Sequence, residues 1–345
     1  MANMSRHLIP AWLWAALAAV ALVLALALAL TERRREPGPS LIYDVSSYEA
    51  VDPAKVLFRE AERISLNLDT PTALCVRGNG TILVAGQDVI VVLDSSGGEL
   101  GRFAVEGAPD CLAEGPDGRL YLGMRTRIAV HDPQGKHLQS WQDLGPRAWI
   151  SSIAVDDEHV FAADAGNKVV YRFDMSGNLL NRIGERDPER DVPGFIVPSP
   201  YFDILLDPGG GLWAVNPGKL GFEHYRPDGS LASSWYRPGM EIDEFSGCCN
   251  PIHAAYRSDA SLVTAEKGIN RVKVYAPDTA LLGVVATPEM LGTLAETAAS
   301  FQEEASVRDL AVDNEDRVLV LHGPRRELLI FEELAREIPV SGRSS

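Results

Sequence analysis

The chain has 345 residues, of which 48 are acidic and 32 are basic, and its formal net charge is −16. This length allows two average domains or one large all-β domain, and either can bury a sizeable core. The negative charge favours a soluble, self-repelling surface and argues against binding to a phosphate backbone. We therefore expect no nucleic acid among its partners.

The N-terminal region contains an uncharged apolar run over residues 8–30, LIPAWLWAALAAVALVLALALAL. At about 1.5 Å per residue, a helix of this length spans the hydrocarbon core of a bilayer. The run is longer than the apolar part of a typical cleaved signal peptide, and Arg33, Arg34 and Arg35 follow closely. We interpret residues 1–36 as an uncleaved transmembrane anchor or signal-anchor, with a cleaved signal peptide as the alternative.

Two patterns give opposite predictions for the membrane side on which the rest of the chain lies. The arginines after the apolar run outnumber Arg6 before it, which by the positive-inside rule keeps the large domain cytoplasmic. A short N-terminal tail before an apolar run is, however, the usual form of an export signal. We favour the second pattern and predict a single-pass membrane protein with an extracytoplasmic domain, periplasmic or extracellular.

After the apolar run the sequence changes to a charged, proline-containing stretch, TERRREPGPS, and residues 37–62 are predicted to form a juxtamembrane linker. The alternating run from Arg63 to Leu68 predicts a strand. From Thr72 onward one pattern recurs: two short apolar strands around a polar turn, followed by an alternating third strand. The strand–turn–strand units are ALCVRGNGTILVAG, CLAEGPDGRLYLG, SIAVDDEHVFAAD, DILLDPGGGLWAV, HAAYRSDASLVTA and DLAVDNEDRVLVL.

The spacing of these units is about 40 residues at first and about 50 later, which is typical of propeller blades with insertions. Six units predict an all-β, six-bladed β-propeller over residues 63–333, followed by a C-terminal tail, residues 334–345. The strand at 63–68 is positioned to close the ring by completing the blade built by residues 307–332. Ile338 to Val340 is a competing candidate for that position.

The run from Ala162 to Asp174, AADAGNKVVYRFD, places small and acidic residues before a Gly-Asn turn and an alternating strand. It resembles the signature of NHL repeats, and the resemblance extends over residues 63–333. The segment from Glu244 to Ala255 also resembles this family's approach to an inner strand. The resemblance implies an NHL-like six-bladed propeller but not a function, because the family includes sensors, interaction scaffolds and a few enzymes.

In a propeller the innermost strands of all blades start at one face, so their equivalent first residues converge on the central channel. Aligning the six units gives these positions, in blade order: Ala73, Cys111, Ser152, Asp203, His253 and Asp309. Two carboxylates and an imidazole can gather around one ion, so Asp203, His253 and Asp309 are candidate ligands of a divalent metal, zinc or calcium. The alternative is structural, with carboxylates that accept backbone N–H bonds around channel water.

Further polar residues are expected on the same rim. Asp110 and Arg308 each precede an inner position by one residue, and Glu266 and Lys267 follow the second strand of blade 5. We add these four to the candidate ligand-binding residues. Glu266 and Lys267 can act as an acid–base pair on a channel ligand, or form a rim ion pair of little energetic weight. Other second strands end in Asp164 with Asn167, Asn216, and His322 with Arg325.

Two adjacent cysteines, Cys248 and Cys249, lie in a loop that leads to His253. Their Cα atoms are about 3.8 Å apart across a trans peptide, below the usual disulfide range, so a bond between them would be strained and easily reduced. The pair is a candidate redox device. The alternatives are two reduced thiols, separate bonds to Cys75 and Cys111, or a bond between Cys75 and Cys111.

Three long connections, residues 184–198, 236–249 and 286–305, precede the inner strands of blades 4, 5 and 6 and are expected to overhang the candidate face. The last has helical spacing, with Pro288 in its first turn. It can act as a lid over a pocket or as a plain insertion at the edge.

The sequence has no nucleophile elbow, phosphate loop, dinucleotide fingerprint or His-Glu-x-x-His stretch, which excludes the common hydrolase, kinase, dehydrogenase and zinc-protease classes. The leading interpretation is a non-enzymatic binding module, anchored in the membrane by residues 8–30, for a small ligand, ion or peptide at the channel mouth. Its expected partner is a protein or a small molecule. The alternatives are a metal-dependent propeller enzyme with hydrolase, lactonase-like or lyase activity, and a redox accessory protein that uses Cys248 and Cys249.

Overall fold

A computed structural model describes residues 12, 19–24, 46–190, 192–207, 209–293 and 305–335. The chain divides into two compact units, Met1–Asp44 and Val45–Ser345. In the first unit the described residues, 12 and 19–24, are helical. Within the described ranges, the structure contains no helix that is both long and apolar enough to cross a membrane. Most of the predicted anchor, residues 8–30, lies outside the described residues.

The described residues of the second unit form six four-stranded antiparallel sheets, which are the blades of a propeller. Blade 1 consists of β2 (Ala73–Val76), β3 (Ile82–Ala85), β4 (Val89–Leu93) and β5 (Glu99–Ala104). Blade 2 consists of β6 (Cys111–Glu114), β7 (Leu120–Met124), β8 (Arg127–His131) and β9 (His137–Ser140). Blade 3 consists of β10 (Ile150–Val155), β11 (His159–Asp164), β12 (Val169–Asp174) and β13 (Leu179–Ile183).

The remaining blades follow the same plan. Blade 4 consists of β14 (Ile204–Leu206), β15 (Leu212–Asn216), β16 (Gly221–Tyr225) and β17 (Leu231–Tyr236). Blade 5 consists of β18 (His253–Tyr256), β19 (Leu262–Ala265), β20 (Val272–Tyr275) and β21 (Leu281–Ala286). Blade 6 consists of β22 (Val307–Val312), β23 (Val318–His322), β24 (Glu327–Glu333) and the N-terminal strand β1 (Phe58–Ser65). Short helices lie in the connections: α1 (Ser46–Glu49), α2 (Pro288–Leu291), and the 3₁₀ turns Pro53–Lys55, Pro188–Arg190 and Pro217–Lys219.

Aspartates at the hairpin corners fix where the strands reverse. The Asp94 carboxylate accepts hydrogen bonds from the backbone N–H groups of Ser96 and Gly98. The same pair of bonds, to the second and fourth residues onward, is made by Asp132, Asp174, Asp207 and Asp313. These bonds satisfy turn N–H groups that have no partner in the sheet, so the polar turns set the strand lengths.

The ring is closed by β1, which pairs antiparallel with β24 from Phe58 opposite Glu333 to Ser65 opposite Glu327. The sequence predicts this closing strand but places its start at Arg63. The difference arises because β1 is an outermost strand with largely exposed, charged residues, so its first half shows little alternation. The competing segment, Ile338 to Val340, lies outside the described residues.

The hydrophobic core lies between neighbouring blades. Six clusters of buried apolar residues fill the six blade-to-blade interfaces of the described ring. At the closing interface, Leu319, Leu328 and Ile330 of blade 6 pack against Ile82 and Val84 of blade 1. The sheet faces supply the apolar contacts. The ends of the inner strands, where they meet at one opening of the central channel, are therefore available for polar side chains.

Candidate binding site at the channel mouth

The structure brings together Asp203, His253 and Asp309, as the blade alignment predicts. The His253 Nδ1 atom lies 3.9 Å from a carboxylate oxygen of Asp203 and 3.8 Å from one of Asp309. The three side chains are largely buried, with 14%, 13% and 21% of their surface exposed, respectively. They form a cluster inside the channel.

The two carboxylates of this cluster connect neighbouring blades. Asp203 of blade 4 accepts a hydrogen bond of 2.9 Å from the backbone N–H of Ala254 in blade 5. Asp309 of blade 6 accepts one of 2.7 Å from Leu74 in blade 1. Each carboxylate therefore joins the inner strand of one blade to the inner strand of the next.

Smaller side chains at equivalent positions make similar connections. The Ser152 hydroxyl of blade 3 accepts the N–H of Ile204 in blade 4 at 3.3 Å. The Cys111 thiol of blade 2 donates to the Ile150 carbonyl in blade 3 at 3.8 Å. Polar residues at the inner positions thus have a structural role in the ring, independent of any ligand.

Burial changes the protonation of the channel cluster. Loss of solvation raises the pKa of Asp203 to about 6, and loss of solvation together with the charge of Asp203 raises the pKa of Asp309 to about 7. Burial, assisted by the Arg308 guanidinium, lowers the pKa of His253 to about 3. The imidazole is therefore neutral at pH 7, and its buried Nε2 atom has no hydrogen-bond partner among the described residues.

The predicted metal ligands already accept hydrogen bonds from the protein backbone. All four carboxylate oxygens of Asp203 and Asp309 already accept backbone N–H groups, because the second oxygen of each bonds the residue that follows it in the chain. Within the described part of the chain, no group of three or more His, Cys, Asp or Glu side chains is arranged to hold a metal ion. Zinc or calcium here stays a prediction from the sequence alone.

Above the channel cluster lies a cavity of 610 Å³, which we call the mouth cavity. All six blades or the segments that lead into them contribute to its lining: Thr72, Asp110, Trp149, Ser151, Pro198, Ser199, Pro200, Tyr201, His253, Lys267 and Arg308. A smaller cavity of 130 Å³ follows inside the channel, and Asp110, Ser151, His253 and Arg308 line both. These four residues form the floor of the mouth cavity.

Two aromatic side chains of the mouth cavity make cation–π contacts with basic side chains of the protein. The Arg125 guanidinium lies 3.4 Å from the centroid of the Trp149 ring. The Lys267 ammonium lies 4.7 Å from the centroid of the Tyr201 ring. Cation–π contacts of this kind attract the cation to the ring face and so help to fix both partners.

Asp110 lies beside two arginines at the floor of the cavity. Burial raises the pKa of its carboxyl group, while the charges of Arg125 and Arg308 and a hydrogen bond from the Trp149 indole act in the opposite direction. The Asp110 carboxyl group thus lies in a positively charged neighbourhood.

Residues at the ends of the second strands hold the loops that build the mouth cavity. The Asp164 carboxylate accepts the N–H of Trp149 at 2.9 Å and is itself bonded by Asn167. Asn216 accepts the N–H of Ile196 at 3.0 Å, in the connection that supplies the Pro198–Pro200 wall. These residues do not line the cavity themselves but hold in place the segments that do.

His322 and Arg325 hold the connection before blade 6. The His322 ring lies 3.0 Å from the carbonyl oxygen of Leu291, and Arg325 donates to the carbonyl of Met290 at 2.7 Å. Both carbonyls belong to α2, which begins at Pro288 as the sequence predicts. The predicted lid depends on residues 294–304, which lie outside the described residues.

The predicted pairing of Glu266 with Lys267 is wrong. Lys267 lines the mouth cavity, whereas Glu266 is fully buried and binds Arg271 at 2.9 Å and Lys273 at 3.1 Å. Lys273 also donates to the carbonyl of Glu244 at 2.7 Å, which fixes the connection before blade 5. The two neighbours separate because successive side chains leaving a strand point to opposite sides.

The cysteine pair borders the mouth cavity. Cys248 and Cys249 are thiols with their Sγ atoms 3.2 Å apart. Cys248 is exposed, whereas Cys249 is buried beside Ser199 and Lys267, two residues of the lining. The remaining cysteines, Cys75 and Cys111, are also free and are buried on inner strands.

Several lining residues are not among those predicted from the sequence. Trp149 and Tyr201 lie two or three positions before the inner residues Ser152 and Asp203. An aromatic residue at this point in consecutive blades is a signal that could have found them. Thr72 and Ser199 carry no such signal, because small hydroxyl residues are common in any turn.

No protein-family model and no curated protein matches the sequence. Solved structures match it at low identity, and the NHL-repeat resemblance stays a prediction from the sequence. A streptogramin B lyase is 13% identical with a TM-score of 0.56, over 82% of this chain and 100% of that chain. A catalytically inactive virginiamycin B lyase from Staphylococcus aureus, solved with quinupristin, is 14% identical with a TM-score of 0.54, over 82% and 90%.

The WD40 β-propeller domain of Doa1 is 11% identical with a TM-score of 0.51, over 76% of this chain and 79% of that chain. At such identities the similarity shows the fold alone. Together with the strand pairing, it shows that this chain is an all-β, six-bladed β-propeller.

Proposed function

We propose that this propeller is a binding module that holds a small ligand in the mouth cavity. The observation that carries the proposal is a cavity of 610 Å³ to which all six blades contribute. Its volume lies in the range of small-molecule sites, about 300–1,000 Å³. Its lining combines aromatic rings with a few charged and hydroxyl groups held by bonds from the strand ends, which is the composition of a preformed binding site.

A fragment screen on the full-length chain in detergent tests this proposal. Compounds that bind the wild type in ligand-observed NMR are measured again with Ser199→Trp, which places a large side chain in the lining. The matched control is Ser233→Trp, on the exposed outer strand of blade 4. Binding that is lost with Ser199→Trp and kept with Ser233→Trp supports the mouth cavity, and binding that is equal in both variants contradicts it.

We also infer that the protein is an NHL-like propeller held at the membrane by residues 8–30, with its blades on the extracytoplasmic side. The uncharged apolar run supports the anchor. Alkaline extraction of membranes tests the anchor, and digestion by a protease added to spheroplasts, which lack an outer barrier, tests the side. Release by alkali, or protection of the propeller from the protease, would contradict the corresponding part.

The alternative function, a metal-dependent enzyme, requires the channel cluster to bind a metal ion. It requires about one zinc or calcium ion per chain, bound through Asp203, His253 and Asp309. Elemental analysis of the full-length chain and of His253→Ala measures this directly. A stoichiometric metal that is lost in the variant would replace the binding module with the enzyme, whereas equal, substoichiometric metal in both proteins would support the structural role of the cluster.

A further inference from the structure

The mouth cavity has an excess of positive charge in a strongly acidic chain. Among its described lining residues, Lys267 and Arg308 are cations and Asp110 is an acid. Arg125 adds a third positive charge close to Asp110. His253 adds none at pH 7, because burial holds its imidazole neutral. The partly ionised carboxyls of Asp203 and Asp309 lie deeper, in the smaller cavity below this lining.

The two lining cations are not used by the protein's own ion pairs. In the described ranges, neither Lys267 nor Arg308 forms an ion pair within 4.0 Å. Both side chains are partly buried. A partly desolvated cation gains a strong, charge-assisted hydrogen bond when an anion replaces the water beside it.

The lining also contains a hydroxyl group that the protein does not use. Thr72 is 7% exposed, and its Oγ1 atom is buried without a hydrogen-bond partner among the described residues. It lies in blade 1, next to the blade that carries Arg308. A hydroxyl group can rotate to donate to an anion, so this group adds a third donor to the same side of the cavity.

The aromatic rings argue against a cationic ligand. Aromatic cages bind cations on free ring faces. Here one face of Trp149 carries Arg125, and one face of Tyr201 carries Lys267. The positive charges on these rings repel a second cation, while the remaining ring surface can contact an apolar group.

We propose that the mouth cavity binds a small organic anion, whose carboxylate, sulfonate or phosphate group lies between Lys267 and Arg308 and whose apolar part contacts Trp149 and Tyr201. This inference rests on the proposed function of the same cavity and adds the chemical class of the ligand.

Two nearly isosteric compounds test the charge requirement: naphthalene-2-sulfonate, an anion, and naphthalene-2-sulfonamide, its neutral analogue. Dissociation constants are measured by ligand-observed NMR with the full-length chain in detergent, for the wild type, Lys267→Met and Arg308→Met. We expect each variant to weaken sulfonate binding about tenfold or more, the effect of losing one charge-assisted bond. Sulfonamide binding should change little. Lys136→Met, an exposed lysine on a hairpin far from this lining, is the control.

The possible outcomes distinguish a failure of the anion inference from a failure of the proposed binding site. Equal affinity for both compounds, or sulfonate binding that neither variant weakens, overturns the anion inference and leaves the cavity as a binding site. If neither compound binds, the anion inference also fails, and the Ser199→Trp screen decides independently whether the cavity binds small molecules. Cooperative unfolding of both variants at the wild-type temperature shows that a loss of binding is local.

Discussion

The Asp309 carboxylate of blade 6 accepts the backbone N–H of Leu74 in blade 1 at 2.7 Å. This bond crosses the interface at which the ring closes. On the outer side of blade 6, β1 pairs with β24, so the closure combines a side-chain bond at the channel with strand pairing at the edge. The channel cluster is thereby part of the fold, and the mouth cavity above it is the part available for a ligand.

Removing the Asp309 carboxylate should weaken the ring. With Asp309→Ala, the Leu74 N–H loses its partner in a buried position, which lowers the free energy of unfolding by about 1–3 kcal/mol. Chemical denaturation at pH 5 measures this value where the carboxyl group is largely protonated and its charge adds no burial cost. Glu158→Ala, an exposed residue, is the control. Equal stability of the two variants would contradict a structural role for Asp309.

The same residue should make stability depend on pH. Its pKa is raised in the folded state, so its contribution is full below the unfolded value of about 4 and is lost as pH rises through about 7. The amide in Asp309→Asn cannot ionise, so the variant's unfolding free energy relative to the wild type should increase from pH 4 to pH 8. His253 acts in the opposite direction because its pKa is lowered, but it is present in both proteins. A difference independent of pH would contradict the raised pKa.

The stability of the ring should depend strongly on the one deeply buried side chain of the closing strand β1. Phe58 is 1% exposed and packs in the cluster between blades 5 and 6. Phe58→Ala should lower the free energy of unfolding by about 3–5 kcal/mol, the usual cost of a large-to-small change in a core. Glu62→Ala, on the exposed part of the same strand, should change it by less than about 0.5 kcal/mol. Two small, equal effects would show that β1 does not close the ring.

The four thiols should differ sharply in reactivity. Cys248 is exposed, whereas burial raises the pKa of Cys75 to about 12 and that of Cys111 well above its usual range. In the native chain, iodoacetamide should label Cys248 first and leave Cys75 and Cys111 unmodified, because the thiolate is the reacting form. Peptide mapping by mass spectrometry counts the labels. Labelling of Cys75 as fast as Cys248 would contradict the burial of the inner strand.

A redox role for the cysteine pair has its own readout. Oxidised glutathione should remove two hydrogen atoms from the Cys248–Cys249 peptide if the two thiols, 3.2 Å apart, form a bond. Because Cys249 lies beside Ser199 and Lys267, such oxidation should also change the affinity for naphthalene-2-sulfonate. Unchanged affinity in the oxidised protein would remove the redox interpretation of this site.

The fold could be predicted from the sequence because its repeats are explicit. Polar turns at regular spacing give the blade number, and counting back from the turns gives Asp203, His253 and Asp309 as neighbours in the channel. This works because a blade's register is set locally, by hairpins whose corner aspartates bond their own turns. Strand β1 is harder to predict from the sequence, because an edge strand can have charged residues at most positions and still pair through its backbone.

The mouth cavity was only partly predictable, because connections between blades shape it. Lys267, Arg308 and Asp110 follow from their place next to the inner strands. Ser199 and the neighbouring prolines depend on how the connection before blade 4 folds, which Asn216 controls from a different strand. The position of Glu266 could not be predicted for the same reason. Its partners Arg271 and Lys273 come from the following hairpin and turn it away from the channel.

A crystal structure of the chain with naphthalene-2-sulfonate is the most direct test of anion binding in the mouth cavity. We expect electron density there, with the sulfonate between the Lys267 ammonium and the Arg308 guanidinium and the rings near Trp149. Density in another cavity instead, such as the one of 410 Å³ beside His131 and His137 between blades 1 and 2, would contradict it.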